Sequence, residues 1–218
     1  MSNYGYDLDQ QSARSAESIG KYIRETGKYL GKFTRAELMF SQKTGARGIE
    51  LDFLSDDGKE CTTQLWTHNG AGDPLPAINM VNALMTCLGL RGIKPARTSV
   101  PKYDYDAKAK VKADVDAFPD LMNKPIGLLL QKEISTYEGK DKTKMLIYAA
   151  FQHGTEKTAS EILDRVAAPS ALGKLLAGLA DKDSRGKGGK GQQSGAHTRQ
   201  QSGSQHNAAP DFDDDLPF

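Results

Sequence analysis

Residues 47–68 read RGIELDFLSDDGKECTTQLWTH. Ile49, Leu51 and Phe53 alternate with Glu50 and Asp52. Cys61, Thr63 and Leu65 alternate with Thr62, Gln64 and Trp66. A period of two puts successive side chains on opposite faces, so both stretches read as half-buried strands. Ser55-Asp56-Asp57-Gly58 between them is a turn, because Gly58 tolerates positive φ. Upstream, residues 28–41 carry Tyr29, Leu30, Phe33, Leu38, Met39 and Phe40 and read as another strand, closed by the turn Lys43-Thr44-Gly45.

Downstream the period changes. Asp73 and Pro74-Leu75-Pro76 precede Ile78, Val81, Met85 and Leu88, whose spacings of three and four predict a helix to about Leu88, with Gly89 near its end. Residues 91–123 are polar and rich in Lys and Asp, and read as a long loop. Residues 126–137 and 144–151 are two further strands. Residues 158–179 predict a last helix that Pro169 would interrupt. Three strands, a helix and two strands is the element order of an OB-fold, a five-stranded Greek-key barrel with its helix between strands three and four. The expected fold is therefore mainly β, with an added C-terminal helix. The expected segments are an N-terminal arm or short helix (1–24), a barrel (25–155), a helix (156–180), a disordered linker (181–210) and an acidic tip (211–218).

Composition sets outer limits. The 218 residues include 38% hydrophobic and 26% charged residues, which suits a globular domain with polar extras. No apolar run approaches the roughly 18 residues of a membrane span, and no basic-then-apolar stretch opens the sequence as a secretory leader would. Cys61 and Cys87 stand in apolar-patterned segments, so reduced, buried thiols and a cytoplasmic setting are expected.

The net charge of +1 hides a segregation. Lys182, Arg185, Lys187, Lys190 and Arg199 face only Asp183 before residue 210, in a stretch of Gly, Ser, Gln and His with little to bury. The last eight residues, Asp211, Phe212, Asp213, Asp214, Asp215, Leu216, Pro217 and Phe218, hold four Asp and no base. This DFDDDLPF segment, following a Gly/Gln-rich linker, resembles the acidic C-terminal tip of bacterial single-stranded DNA-binding proteins (SSB). The body, through Glu25-Thr26-Gly27-Lys28-Tyr29 and Thr44-Gly45-Ala46-Arg47-Gly48-Ile49, looks like the divergent OB-fold SSBs of bacteriophages. The resemblance implies a DNA-protecting protein, in the cytoplasm of a bacterial host, whose tip recruits replication, recombination and repair enzymes. In such docking Phe218 and its carboxylate would enter a socket with a base, while the Asp residues face a basic rim. A homo-oligomer is compatible with this reading.

Single strands are held by a basic groove and by aromatic platforms on which bases stack. The residues fitting that description are Lys28 with Tyr29, Lys32 with Phe33, Arg35, Arg47, Trp66, Arg97, Lys102 with Tyr103, and Lys140, Lys142 and Lys144. Trp66 is either an outward stacking surface on the third strand or packed under the helix or the long loop. Tyr29 and Phe33 are four apart and share a face, stacking or core. Glu50 and Asp52 on the neighbouring strand count against a uniformly positive groove.

Enzyme signatures are weak. No C-x-x-C, H-E-x-x-H or metal-spaced His/Cys cluster occurs, so no cofactor or metal is expected. Glu50, Asp52, Asp56 and Asp57 could hold Mg²⁺ in a nuclease, but Asp56-Asp57-Gly58 already has a turn to make. The expectation is a non-enzymatic binder of single-stranded DNA. A strand-annealing recombination protein, or an adaptor that mimics the SSB tip, stays open.

Overall fold

The structure is a computed structural model and describes residues 7–8, 20–104, 106–107 and 109–185. Strands β1 (Gly27–Phe40), β2 (Arg47–Ser55) and β3 (Glu60–His68) form an antiparallel meander. The alternation sets its register. Phe53 lies between Phe33 and Cys61, and Ile49 lies between Leu38 and Leu65. Phe33, Leu51, Phe53 and Leu65 are buried on the inward face, and Phe33 meets Phe53 edge to face. A bulge at Thr34 shifts the parity of β1, so Ala36 and Leu38 continue the inward row that Phe33 begins.

Helix α1 (Ala77–Cys87) follows and buries Val81, Leu84 and Cys87 in the same core. It ends at Gly89, whose φ of +69° closes the last turn.

Residues 91–123 depart from the expected loop. They carry a nine-residue hairpin pair, β4 (Ala96–Asp104) and β5 (Ala109–Ala117). Its inward side is built from Thr98, Val100, Ala113, Val115 and Ala117, too small and few to register as apolar alternation. Its other side is Lys, Arg and Asp in water. Val100 and Ala117 are nonetheless fully buried.

A 3-10 turn at Pro119–Leu121 leads into β6 (Pro125–Tyr137) and β7 (Lys140–Phe151). Residues 126–130 are buried on both faces. Ile126, Leu128 and Leu130 enter the main core, while Leu129 joins Phe151 and Leu172 in a second cluster outside the sheet. Gly127 is required there, because a Cβ would lie 2.0 Å from the Phe151 ring.

The single C-terminal helix expected at 156–180 is two short ones, α2 (Ala159–Leu163) and α3 (Ala171–Ala177). Arg165 at φ +53° and Pro169 break it. Glu161 holds the break together. Its carboxylate accepts the N–H of Thr158, Ser170 and Ala171, which keeps its pKa down at about 2. Residues 181–185, expected within the linker, are described. Lys182–Asp183 form strand β8, parallel to β6, and Lys132 pairs with Asp181 at 2.6 Å.

The described sheet thus has eight strands rather than five. β1 is its hub, pairing with β2 over residues 31–40, with β6 over 27–32 and with β5 at Glu37. β3 and β7 run side by side with α1 against both, but no ladder joins them, and the sheet stays open at that seam. Of the N-terminal arm, residues 7–8 and 20–24 are described. Ile23 is buried and donates its N–H to Glu60 O at 2.8 Å. No described helix is long and apolar enough to cross a membrane.

Candidate nucleic-acid interface

The β6–β7 hairpin supplies the clearest basic element. Glu138 and Gly139 have φ of +48° and +74°, so a two-residue turn with two positive φ values joins the strands. That tight turn draws residues 140–143 into β7, which had been expected to start at residue 144. Lys140, Lys142 and Lys144 then alternate along one face, opposite Tyr137, Ser135 and Glu133. Tyr137 and Tyr148 are exposed on the same hairpin. Near its base Glu133 is almost wholly buried and accepts from Lys144 at 3.2 Å, Lys182 at 2.6 Å and Ser184 at 2.8 Å. Burial alone would raise its pKa, but Lys182, Ser184 and Lys144 outweigh burial and hold it at about 2. Arg185 pairs with Asp141 at 3.1 Å, so the described chain ends beside the tip of this hairpin.

The outward face of β1–β2–β3 has a different character. Arg35 is only 5% exposed. Its guanidinium donates to Asp52 at 2.8 Å and 3.0 Å, to Glu50 at 2.6 Å and to Glu37. Thr62 and Gln64 donate to the same carboxylates of Asp52 and Glu50, at 2.6 Å and 2.8 Å. Burial alone would lower the Arg35 pKa, but Asp52 and Glu50 push it above the usual guanidinium range. The β4–β5 hairpin reaches over this face. Lys102 Nζ lies 2.8 Å from Glu37, and Lys110 pairs with Glu60. Two cations and three carboxylates thus share one layer at Arg35, which repels a phosphate backbone.

Several of the expected contact residues have other partners in the structure. Phe33 is fully buried, so no base reaches it. Arg35 is spent on Asp52, Glu50 and Glu37, and Lys102 on Glu37. Trp66 is half-buried with its indole Nε1 shielded and without a hydrogen-bond partner, so its polar edge is turned inside. Tyr29 packs against the core and its hydroxyl donates to Glu25 O at 2.9 Å. Lys28 pairs with Glu156 and lies 5.5 Å over the Phe151 ring.

Five expected residues are exposed outside the β6–β7 hairpin: Lys28, Lys32, Arg47, Arg97 and Tyr103. Arg97 stands 3.8 Å from Asp116. Arg47 is at the far end of β1, paired with Phe40, whereas β6 continues past the start of β1 toward Lys140. Arg47 and the β6–β7 lysines thus lie beyond opposite ends of β1, with Lys32 between them and Arg97 and Tyr103 on β4. Phe40 was missed as a surface group. It is 62% exposed, the most exposed aromatic among the described residues. The sequence carried no signal for it, because the bulge after Phe33 that carries Leu38 and Phe40 onto the core side, and leaves Phe40 past the last core row, is set by strand pairing.

The expected tip, residues 211–218, lies outside the described residues. Cys61 and Cys87 are buried free thiols, and desolvation pushes them up to about 12 and about 11. Among the described residues no group of three or more His, Cys, Asp or Glu is placed to hold a metal ion. No protein-family model matches the chain, and no curated protein matches it in sequence.

Proposed function

We propose that this chain is a single-stranded DNA-binding protein built on an OB barrel. In this reading β1, β2, β3, β6 and β7 are the five barrel strands and α1 stands between the third and fourth. The β4–β5 hairpin is an insertion after α1. The observation that carries the reading is the divided pairing of β1, with β2 along one half and β6 along the other. A Greek-key barrel needs such a shared first strand. The lysine-lined β6–β7 hairpin supports a phosphate-tracking role. The segment at residues 211–218 supports recruitment of replication, recombination and repair enzymes, through its resemblance to the SSB tip. The protein binds and protects the strand with little sequence preference, in the cytoplasm of a bacterial host infected by a phage, and does no chemistry of its own.

The test is fluorescence anisotropy of a labelled strand about 30 nucleotides long, which exceeds one OB site. Full-length protein and a variant lacking residues 211–218 are compared at low and high salt, with duplex as competitor. Salt-sensitive binding that duplex does not displace is expected, because neutralised phosphates release counterions. The carboxylates around Arg35 favour one second reading, an adaptor that uses the acidic segment without useful DNA affinity. Absence of binding by both proteins selects it.

A further inference from the structure

We propose that Phe40 and Arg47 form a nucleotide clamp at the end of the β1–β2 hairpin, with a base stacked on Phe40 and its phosphate held by Arg47. The inference rests on the single-stranded DNA reading and locates part of its site.

Phe40 sits one step beyond the last core row, Leu38–Ile49–Leu65. Its ring leaves the sheet on the core side but meets water, at 62% exposure. Arg47 is directly opposite it in the antiparallel register, which brings the two Cβ atoms within roughly 5 Å on one face. Arg47 is exposed, unlike Arg35. An aromatic face beside a cation is the pairing by which proteins hold single-stranded bases.

The pedestal beneath is rigid, so little ordering remains for binding to impose. Ser41 N donates to Ala46 O at 2.8 Å, Gly45 N donates to Ser41 O at 2.8 Å, and Gly45 has φ of +71°. The loop after β3 locks onto this turn. A Cβ on Gly70 would lie 2.0 Å from the Thr44 carbonyl oxygen, so only glycine lets the two loops touch. A Cβ on Gly72 would lie 3.9 Å from Arg47 Nη2, an ordinary van der Waals distance, so the guanidinium lies beside the Gly72 backbone. The outward face of β1–β2–β3, by contrast, is filled by the Arg35 carboxylates and bridged by Lys102. A strand is therefore gripped at the hairpin end rather than across that face.

The experiment uses the full chain and an oligo-dT probe. Phe40→Ala and Phe40→Leu each weaken binding about tenfold, as expected for one lost stacked base, and leave the salt slope unchanged. Phe40→Tyr restores affinity. Phe40→Trp gives an indole whose fluorescence is quenched on binding, above the Trp66 background. Arg47→Ala lowers both affinity and the salt slope, the slope by about 0.7. Circular dichroism and Tm stay at wild-type values, because Phe40 is exposed. Wild-type binding with unchanged affinity in both Phe40→Ala and Phe40→Leu overturns the clamp and leaves the DNA reading standing. A loss of self-association with unchanged DNA affinity overturns it equally, in favour of a second copy at Phe40. Absence of wild-type binding removes the DNA reading and the clamp with it.

Discussion

Arg35 shows how one side chain can change role between sequence and structure. As a base near a hairpin it reads as a phosphate contact. Its partners Glu50 and Asp52 are legible as outward residues of the next strand, but the register that brings them to Arg35 is not. Replacing Arg35 with Ala leaves Asp52, Glu50 and Glu37 facing one another in a poorly solvated layer. The expected loss is about 3–5 kcal/mol in urea unfolding. Glu133 sets a pH dependence. Its folded pKa of about 2 lies below the ordinary value of 4.5, so its contribution is complete above pH 4.5 and is lost as pH falls toward 2. Glu161 is depressed in the same direction and adds to the same window. The Glu133→Gln variant should have a lower Tm at neutral pH and a flatter fall of Tm between pH 4.5 and 2. The residual slope belongs in part to Glu161.

At the scale of elements, the long alternations were legible and the short or weakly apolar ones were not. β2 and β3 follow the sequence pattern because each buries one face of large side chains. β4 and β5 escaped it because Ala, Thr and Val on their covered side contrast little with their surroundings, and their burial depends on β1 lying beneath them. The single last helix became α2 and α3 because Pro169 broke it and Glu161 could serve the start of both. β7 gained four residues, 140–143, through a two-residue turn. In the proposed function Lys140 and Lys142 are phosphate contacts, whereas Lys144 is held by Glu133. Changing Lys140 and Lys142 together to Ala should weaken oligo-dT binding and reduce the salt slope by about 1.4, with Tm little changed. Anisotropy across a salt series reads both.

For the whole molecule, one core joins β1, β2, β3, β6, β7 and α1, and both thiols lie inside it. Cys61 and Cys87, raised to about 12 and about 11, should resist a thiol reagent at mildly alkaline pH while the protein is folded. Both should react within the mixing time in denaturant. Labelling of either in the native state would show that α1 or the open β3–β7 seam gives way locally. The sequence alone determined the mainly β class, the first meander and the place of α1, since these depend on periodicities that local side chains impose. It also determined the charge segregation after residue 181, which is a matter of composition. Tertiary structure alone decided which bases are spent on carboxylates, which aromatics are core and which reach water. Those outcomes depend on pairings between strands, such as Glu37 with Lys102 across 65 residues and Phe40 with Arg47 across the first hairpin, and on a bulge at Thr34 that exchanges the faces of β1. Local pattern carries no information about which distant residue will stand opposite, and the free energy of burying a charge is set by that neighbour.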